Sequence, residues 1–147
     1  MTGTLSPPRP GCAALAVLRR GAQVLLVRRA NPPDAGLWGF PGGRMEWGET
    51  IAEAAVRELF EETGIAAAAG PAFKVLDCLD RNGDGVLVHH YLMVAVLCHP
   101  TEAQAEAQAA DDALEAAWFT LPDLHALAPR LSAGVVETAE EAFRLSP

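Results

Sequence analysis

The chain has 147 residues, 11 basic against 19 acidic, and a formal charge of −8. Half of it is apolar and a fifth is charged, a balance that excludes a disordered or fibrous chain and is expected of one globular domain over 1–147. Lys74 is the single lysine, and an acidic chain without a basic cluster argues against charge-driven binding to nucleic acid or to an anionic membrane.

Residues 1–10 hold Pro7, Pro8 and Pro10 and read as a loose lead-in. Ala13–Arg20 and Gln23–Arg29, parted by Gly21-Ala22, read as two strands of a hairpin. Asn31-Pro32-Pro33-Asp34-Ala35-Gly36 is a loop by composition. Leu37–Pro41 is apolar and leads into Gly42-Gly43.

Thr50 to Glu62 is the clearest helix. Thr50 is a good N-cap, Glu53 stands three residues on as a capping box requires, and Gly64 suits the terminating left-handed residue. Ala66–Ala69 reads as a linker. Ala72–Asp80 and Val86–Cys98 read as strands joined by a turn containing Asn82-Gly83. His99–Ala117 is polar and alanine-rich, and its pattern does not separate loop from helix. Trp118–Thr120 reads as a short strand, and Leu121–Leu127 and Gly134–Leu145 as helices. The expected architecture is an α/β domain: a mixed sheet packed by helices.

The chemistry concentrates in the first helix. At about 100° per residue, Glu58, Glu61 and Glu62 share one arc, and Ala52, Ala55, Val56, Leu59 and Phe60 a neighbouring apolar one. Two like charges ~4 Å apart repel by about 4 kcal/mol at an effective dielectric near 20. The three acids also crowd the last turn, the negative end of the helix dipole. Such a penalty points to a compensating cation, and an all-oxygen set suits Mg2+ first and Mn2+ second. Arg57 reads as a scaffold residue that bridges Glu53 or reaches Glu49. A carbonyl of Gly42-Gly43 could complete the ion's shell.

Residues 43–65 resemble the Nudix box, G-x5-E-x7-R-E-U-x-E-E-x-G-U with U apolar. All nine fixed positions are filled, by Gly43, Glu49, Arg57, Glu58, Leu59, Glu61, Glu62, Gly64 and Ile65. The resemblance implies a Nudix-type α/β/α sandwich whose box is a loop–helix–loop. It implies metal-dependent hydrolysis of a nucleoside diphosphate linked to another group, with Glu58, Glu61, Glu62 and the Gly42 carbonyl as metal ligands. Glu49 and Arg57 would hold the loop to the helix, alongside Gly43 and Gly64. A further acid is expected after the box; among Asp111, Asp112 and Glu115, Asp112 is preferred. Glu62 and Asp112 are the candidate bases, and Arg29 and Arg44 candidate phosphate contacts. Overall similarity to short ADP-ribose pyrophosphatases makes ADP-ribose the leading substrate. Nucleoside triphosphates, oxidised or ordinary, are the alternative, and a non-catalytic nucleotide sensor is the alternative of another class. Pairing into a homodimer is common among relatives.

Other signals read as structural. Asp80–Gly85 copies the start of an EF-hand loop, but its twelfth position is Tyr91 rather than Glu. His89 and His90, adjacent on a strand, point to opposite faces, so one of them lines a pocket at most. Trp47 is the tryptophan expected to be exposed. Cys12, Cys78 and Cys98 show no paired spacing, and the short apolar runs span no membrane. A reducing compartment, the cytoplasm, is the expected location.

Overall fold

The computed structural model describes residues 8–145, so the lead-in expected over 1–10 falls mostly outside the described residues. Strand β1 (Gly11–Arg20) is the spine. It runs parallel to β6 (Leu87–Pro100) along its length, and β6 pairs antiparallel with β5 (Ala67–Arg81). At its far end β1 pairs with β2 (Gln23–Arg29) only through Arg19 and Arg20. Near its start, Ala13–Leu15 pair instead with β4 (Gly42–Arg44). β2 continues outward to β3 (Trp38–Gly39) and β7 (Ala113–Thr120). The mixed sheet is thus split: β1 leaves β2 after two residues, and β4 occupies the gap.

Helix α1 (Ile51–Thr63) covers one face, over a cluster that includes Ala14, Leu18, Leu25, Ala55, Leu59, Ile65 and Val96. Helices α2 (Leu121–Ala126) and α3 (Val135–Arg144) cover the other, over Val17, Leu26, Leu97, Leu124 and Ala139. This is the expected helix–sheet–helix sandwich. No helix of the described residues is long and apolar enough to cross a membrane.

Most boundaries fall where the pattern puts them, with three corrections. The alanines taken for a linker belong to β5, which starts at Ala67; their small side chains carry no alternation, and pairing with His99 and Cys98 decides the matter. β7 begins at Ala113, five residues before Trp118, because the ladder with β2 extends to Arg29. Phe60 leaves the apolar arc: it is exposed, and Ala54 is fully buried in its stead. The helix meets the sheet on a stripe turned slightly from the one that hydrophobicity alone marks. Trp47 is fully exposed, and the three cysteines are free thiols, as expected.

Burial therefore predicts unequal truncations on α1. Leu59→Ala should lower stability by about 2–5 kcal/mol, as a cavity in a packed core does. Phe60→Ala should change it by less than about 0.5 kcal/mol. Urea unfolding followed by circular dichroism measures both, and equal effects would mean that the helix lies in another rotation.

Candidate active site

The box folds as a loop around one guanidinium. Thr50 caps α1, accepting from the Glu53 N–H at 3.1 Å, and Glu53 accepts from the Thr50 N–H at 3.0 Å. Glu53 is thereby used in the cap, so Arg57 turns to Glu49. Its Nε donates to Glu49 Oε2 at 2.6 Å and its Nη2 to Glu49 Oε1 at 3.0 Å, a two-point pairing. Nη2 also donates to the Arg44 carbonyl at 3.0 Å, while Nη1 donates to Glu58 Oε1 at 2.8 Å and Glu61 Oε2 at 3.2 Å. One side chain ties the loop before α1 to the acids at its end. Arg57 holds the Glu49 carboxyl well below the usual range, at about 2. At the other end, Gly64 takes φ 73° and donates to the Phe60 carbonyl at 2.8 Å, closing the helix.

The glycines before α1 let the acids approach the backbone. A side chain at Gly43 would begin 2.6 Å from the Glu58 carboxylate. One at Gly42 would meet the Ala14 carbonyl oxygen across the β1–β4 ladder. Glu62 lies buried beside them and accepts from the Gly42 N–H at 3.2 Å. Burial raises the Glu62 carboxyl to about 8; the neighbouring Glu58 adds to the shift, and the Gly42 N–H and Arg29 oppose it. Burial also raises Glu58, against the pull of Arg57. Glu61 stays exposed.

The outlying candidates divide. Arg29 lies close enough to act on Glu62, and its Nε donates to the Pro33 carbonyl at 2.8 Å. Asp112 also acts on Glu62; its Oδ1 accepts from Asn31 Nδ2 at 3.0 Å, and its carbonyl from the Ala30 N–H at 3.0 Å. Asp111, passed over in favour of Asp112, lies close enough to act on Glu58 and adopts φ 55°, a conformation uncommon outside glycine. Glu115 is removed from the cluster by its ion pair with Arg28 at 2.7 Å. Arg44 turns to the opposite face of the sheet, with Cζ 5.9 Å from the Tyr91 ring centre. Trp118 is no stacking platform, since Arg20 already lies over it at 3.9 Å. Asn31 carries no signal in the sequence, because its partner is 81 residues away.

The carboxylates do not yet share a focus. Among the described residues no three Asp, Glu, His or Cys side chains are arranged to hold one ion, because Arg57 draws Glu58 and Glu61 onto itself. The donor set still fits a hard divalent cation. Arg57 takes one oxygen of Glu58 and one of Glu61, leaving the second of each, and Glu62 is a buried acid with no ion pair among the described residues.

The model of the NUDIX domain family matches residues 7–141. The chain belongs to the Nudix hydrolase family. It is 34% identical over 119 residues to the ADP-ribose pyrophosphatase of Methanocaldococcus jannaschii, a match covering 81% of this chain and 67% of that one. It is 34% identical over 104 residues to the CTP pyrophosphohydrolase of Escherichia coli, covering 60% and 75% respectively. Among solved structures, it superimposes with a TM-score of 0.72 and 27% identity on a bifunctional NMN adenylyltransferase/ADP ribose pyrophosphatase from Francisella tularensis, complexed with AMP and a manganese ion. That match covers 92% of this chain and 41% of the other, so this Nudix domain corresponds to less than half of the bifunctional protein.

The two shifted acids give opposite pH signatures in protein free of divalent ions. Glu49 titrates lower in the folded chain, so its contribution is present above about pH 4.5 and is lost as pH falls toward 2. Glu62 titrates higher, so its contribution is full below about pH 4.5 and is lost as pH rises through about 8. Thermal midpoints should show Glu62→Gln gaining on the parent from pH 5 to 8.5. Glu49→Gln should lie furthest below the parent near neutrality and converge with it toward pH 2. Parallel curves in either comparison would contradict these environments.

Proposed function

We propose that this Nudix hydrolase cleaves the pyrophosphate linkage of a nucleoside diphosphate derivative, with ADP-ribose as the leading substrate and AMP and ribose 5-phosphate as products. The observation that carries the reading is the pair of acids against the Gly42-Gly43 backbone: Glu58 packed on Gly43, and Glu62 buried on the Gly42 amide. A buried acid short of positive charge is poorly explained as a solvated surface. The resemblance to a named ADP-ribose pyrophosphatase supports the choice of substrate.

Glu58, Glu61, Glu62 and the Gly42 carbonyl would hold Mg2+, with Mn2+ as substitute. A divalent ion there supplies charge neutralisation at the anhydride and eases ionisation of a water. Arg29 binds and orients the phosphates beside Glu62, and Arg44 meets them from the other face of the sheet. Water attacks one phosphorus and the anhydride P–O bond opposite it breaks. Glu62 accepts the water's proton; Asp112, held by Asn31, is the second candidate. Glu49, Arg57, Gly43 and Gly64 keep the box in shape.

The similarity to a CTP pyrophosphohydrolase favours a second reading, in which a nucleoside triphosphate loses pyrophosphate. A nucleotide sensor would bind the same ligands without turnover, but the complete acid set has no purpose in it.

Release of AMP from ADP-ribose with Mg2+ present, and its loss on chelation, tests the reaction. Glu62→Gln should lower kcat by about 10²–10⁴-fold, the range for a lost proton acceptor, with circular dichroism unchanged. Asp112→Asn should fall in that range only if Asp112 is the acceptor. Tight binding without turnover across a panel of nucleotides would establish the sensor instead.

A further inference from the structure

Beside the box lies a polar cluster of which the chemistry above uses only Arg44. Strand register places Arg44, Gly11, Tyr91, Cys78, His89 and Asp80 on one face: Arg44 opposes Ala13, Gly11 opposes Tyr91, Tyr91 opposes Cys78, and His89 opposes Asp80. It is the face that α3 covers, but the helix ends its cover early. Gly134, at its start, packs on Leu76, one strand repeat short of Cys78, and Tyr91 and His89 are only partly buried. Arg29, at the end of β2, and Asp34, in the loop that follows, both come near enough to act on the Cys78 thiol. The result is an open stretch of sheet beside the box.

Its side chains are ordered by contacts within the cluster. Tyr91 leans across Gly11, where a β-carbon would fall 2.8 Å from Cε1. The exposed Arg44 side chain stands off the ring, with Cζ 5.9 Å from its centre against 3.9 Å for Arg20 over Trp118. The His89 ring lies nearly parallel to it, at 18° with centres 6.3 Å apart. Asp80 Oδ2 is 2.9 Å from His89 Nδ1. In the neutral ring, Nδ1–H therefore donates to Asp80, and the Nε2 lone pair is left to accept from a ligand. Arg44 directly follows Gly43, on which Glu58 packs. A nucleotide with its phosphates at the box can thus lay its base over β1 and β6, two strand spacings or roughly 10 Å away.

We propose that Tyr91 and His89, the latter oriented by Asp80, form the nucleoside end of the substrate site: Tyr91 stacks on the base, and His89 Nε2 accepts from an exocyclic amino group. The site then takes amino bases, adenine or cytosine, over their oxo counterparts. This rests on the hydrolase reading and deepens it. Asp80 is a positioning residue; Tyr91 and His89 touch the ligand.

The test compares ADP-ribose with its hypoxanthine analogue, in which an oxo group replaces the amino group and N1 carries a proton. The parent should favour ADP-ribose by about tenfold in kcat/KM, the worth of one such hydrogen bond. His89→Phe and Asp80→Leu should bring the ratio to near one with kcat little changed. Tyr91→Leu should raise KM for both substrates by about ten- to a hundredfold, the worth of a lost stack, and Tyr91→Phe should restore it. His90→Phe, on the opposite face, should leave the ratio alone. If Asp80–His89 is merely a cross-strand ion pair, those variants will shift Tm and keep the parent's ratio, which overturns the proposal. A parent ratio near one overturns it too. If no diphosphate is cleaved, the hydrolase reading fails separately, and equilibrium binding of AMP against IMP to the same proteins decides the subsite.

Discussion

Everything in the box is arranged around the guanidinium of Arg57. Three of its nitrogens bind five acceptor atoms: both oxygens of Glu49, one oxygen each of Glu58 and Glu61, and the Arg44 carbonyl. A planar fork can do this; a lysine, which directs one point charge, cannot. The pairing solves two problems at once. It fixes a glycine-bearing loop that makes few backbone hydrogen bonds of its own. It also offsets part of the repulsion among acids crowded at the negative end of a helix. Only part is offset, because Glu62 lies out of its reach and stays buried beside Glu58.

The place where those acids meet the backbone exists because β1 changes partners. Held by β6 from Gly11 to Leu18, the strand can release β2 after two residues without losing its own order. The gap admits β4, whose glycines bring Gly42 and Gly43 against α1. A fully zipped β1–β2 hairpin would have no such opening. The same split lets the end of the β2–β7 ladder, bearing Arg29, Asn31 and Asp112, approach the acids. The site is thus an edge between two ladders, and its two faces are free to take different parts of one ligand.

Local chemistry explains where the sequence is easiest to read. The capping box, the terminal glycine and the spacing of Arg57 from Glu49 and Glu58 all act over a few residues, so they are visible in the one-dimensional pattern. The alanine-rich stretches were opaque for the same reason. Alanine fits a helix, a strand or a loop, and Ala67–Ala69 and Ala113–Ala117 become strands only because β6 and β2 supply partners. Phe60 shows the limit of hydrophobic periodicity: the wheel marks an apolar arc, but the sheet beneath selects which edge of that arc it covers.

The sequence by itself determined the helix that carries the acids, the loop that Arg57 ties to it, the hard-cation character of the donor set and the family. All of these are written in residues close along the chain. Only the tertiary structure decided that Glu49, rather than Glu53, is the partner of Arg57, that Asp111 and Asp112 both stand among the acids, that Arg29 lies near Glu62 while Arg44 turns toward Tyr91, and that His89 pairs with Asp80 beside Tyr91. Each depends on strand register or on contacts between segments tens of residues apart, or on competition for a shared partner, and these are settled by packing rather than by spacing.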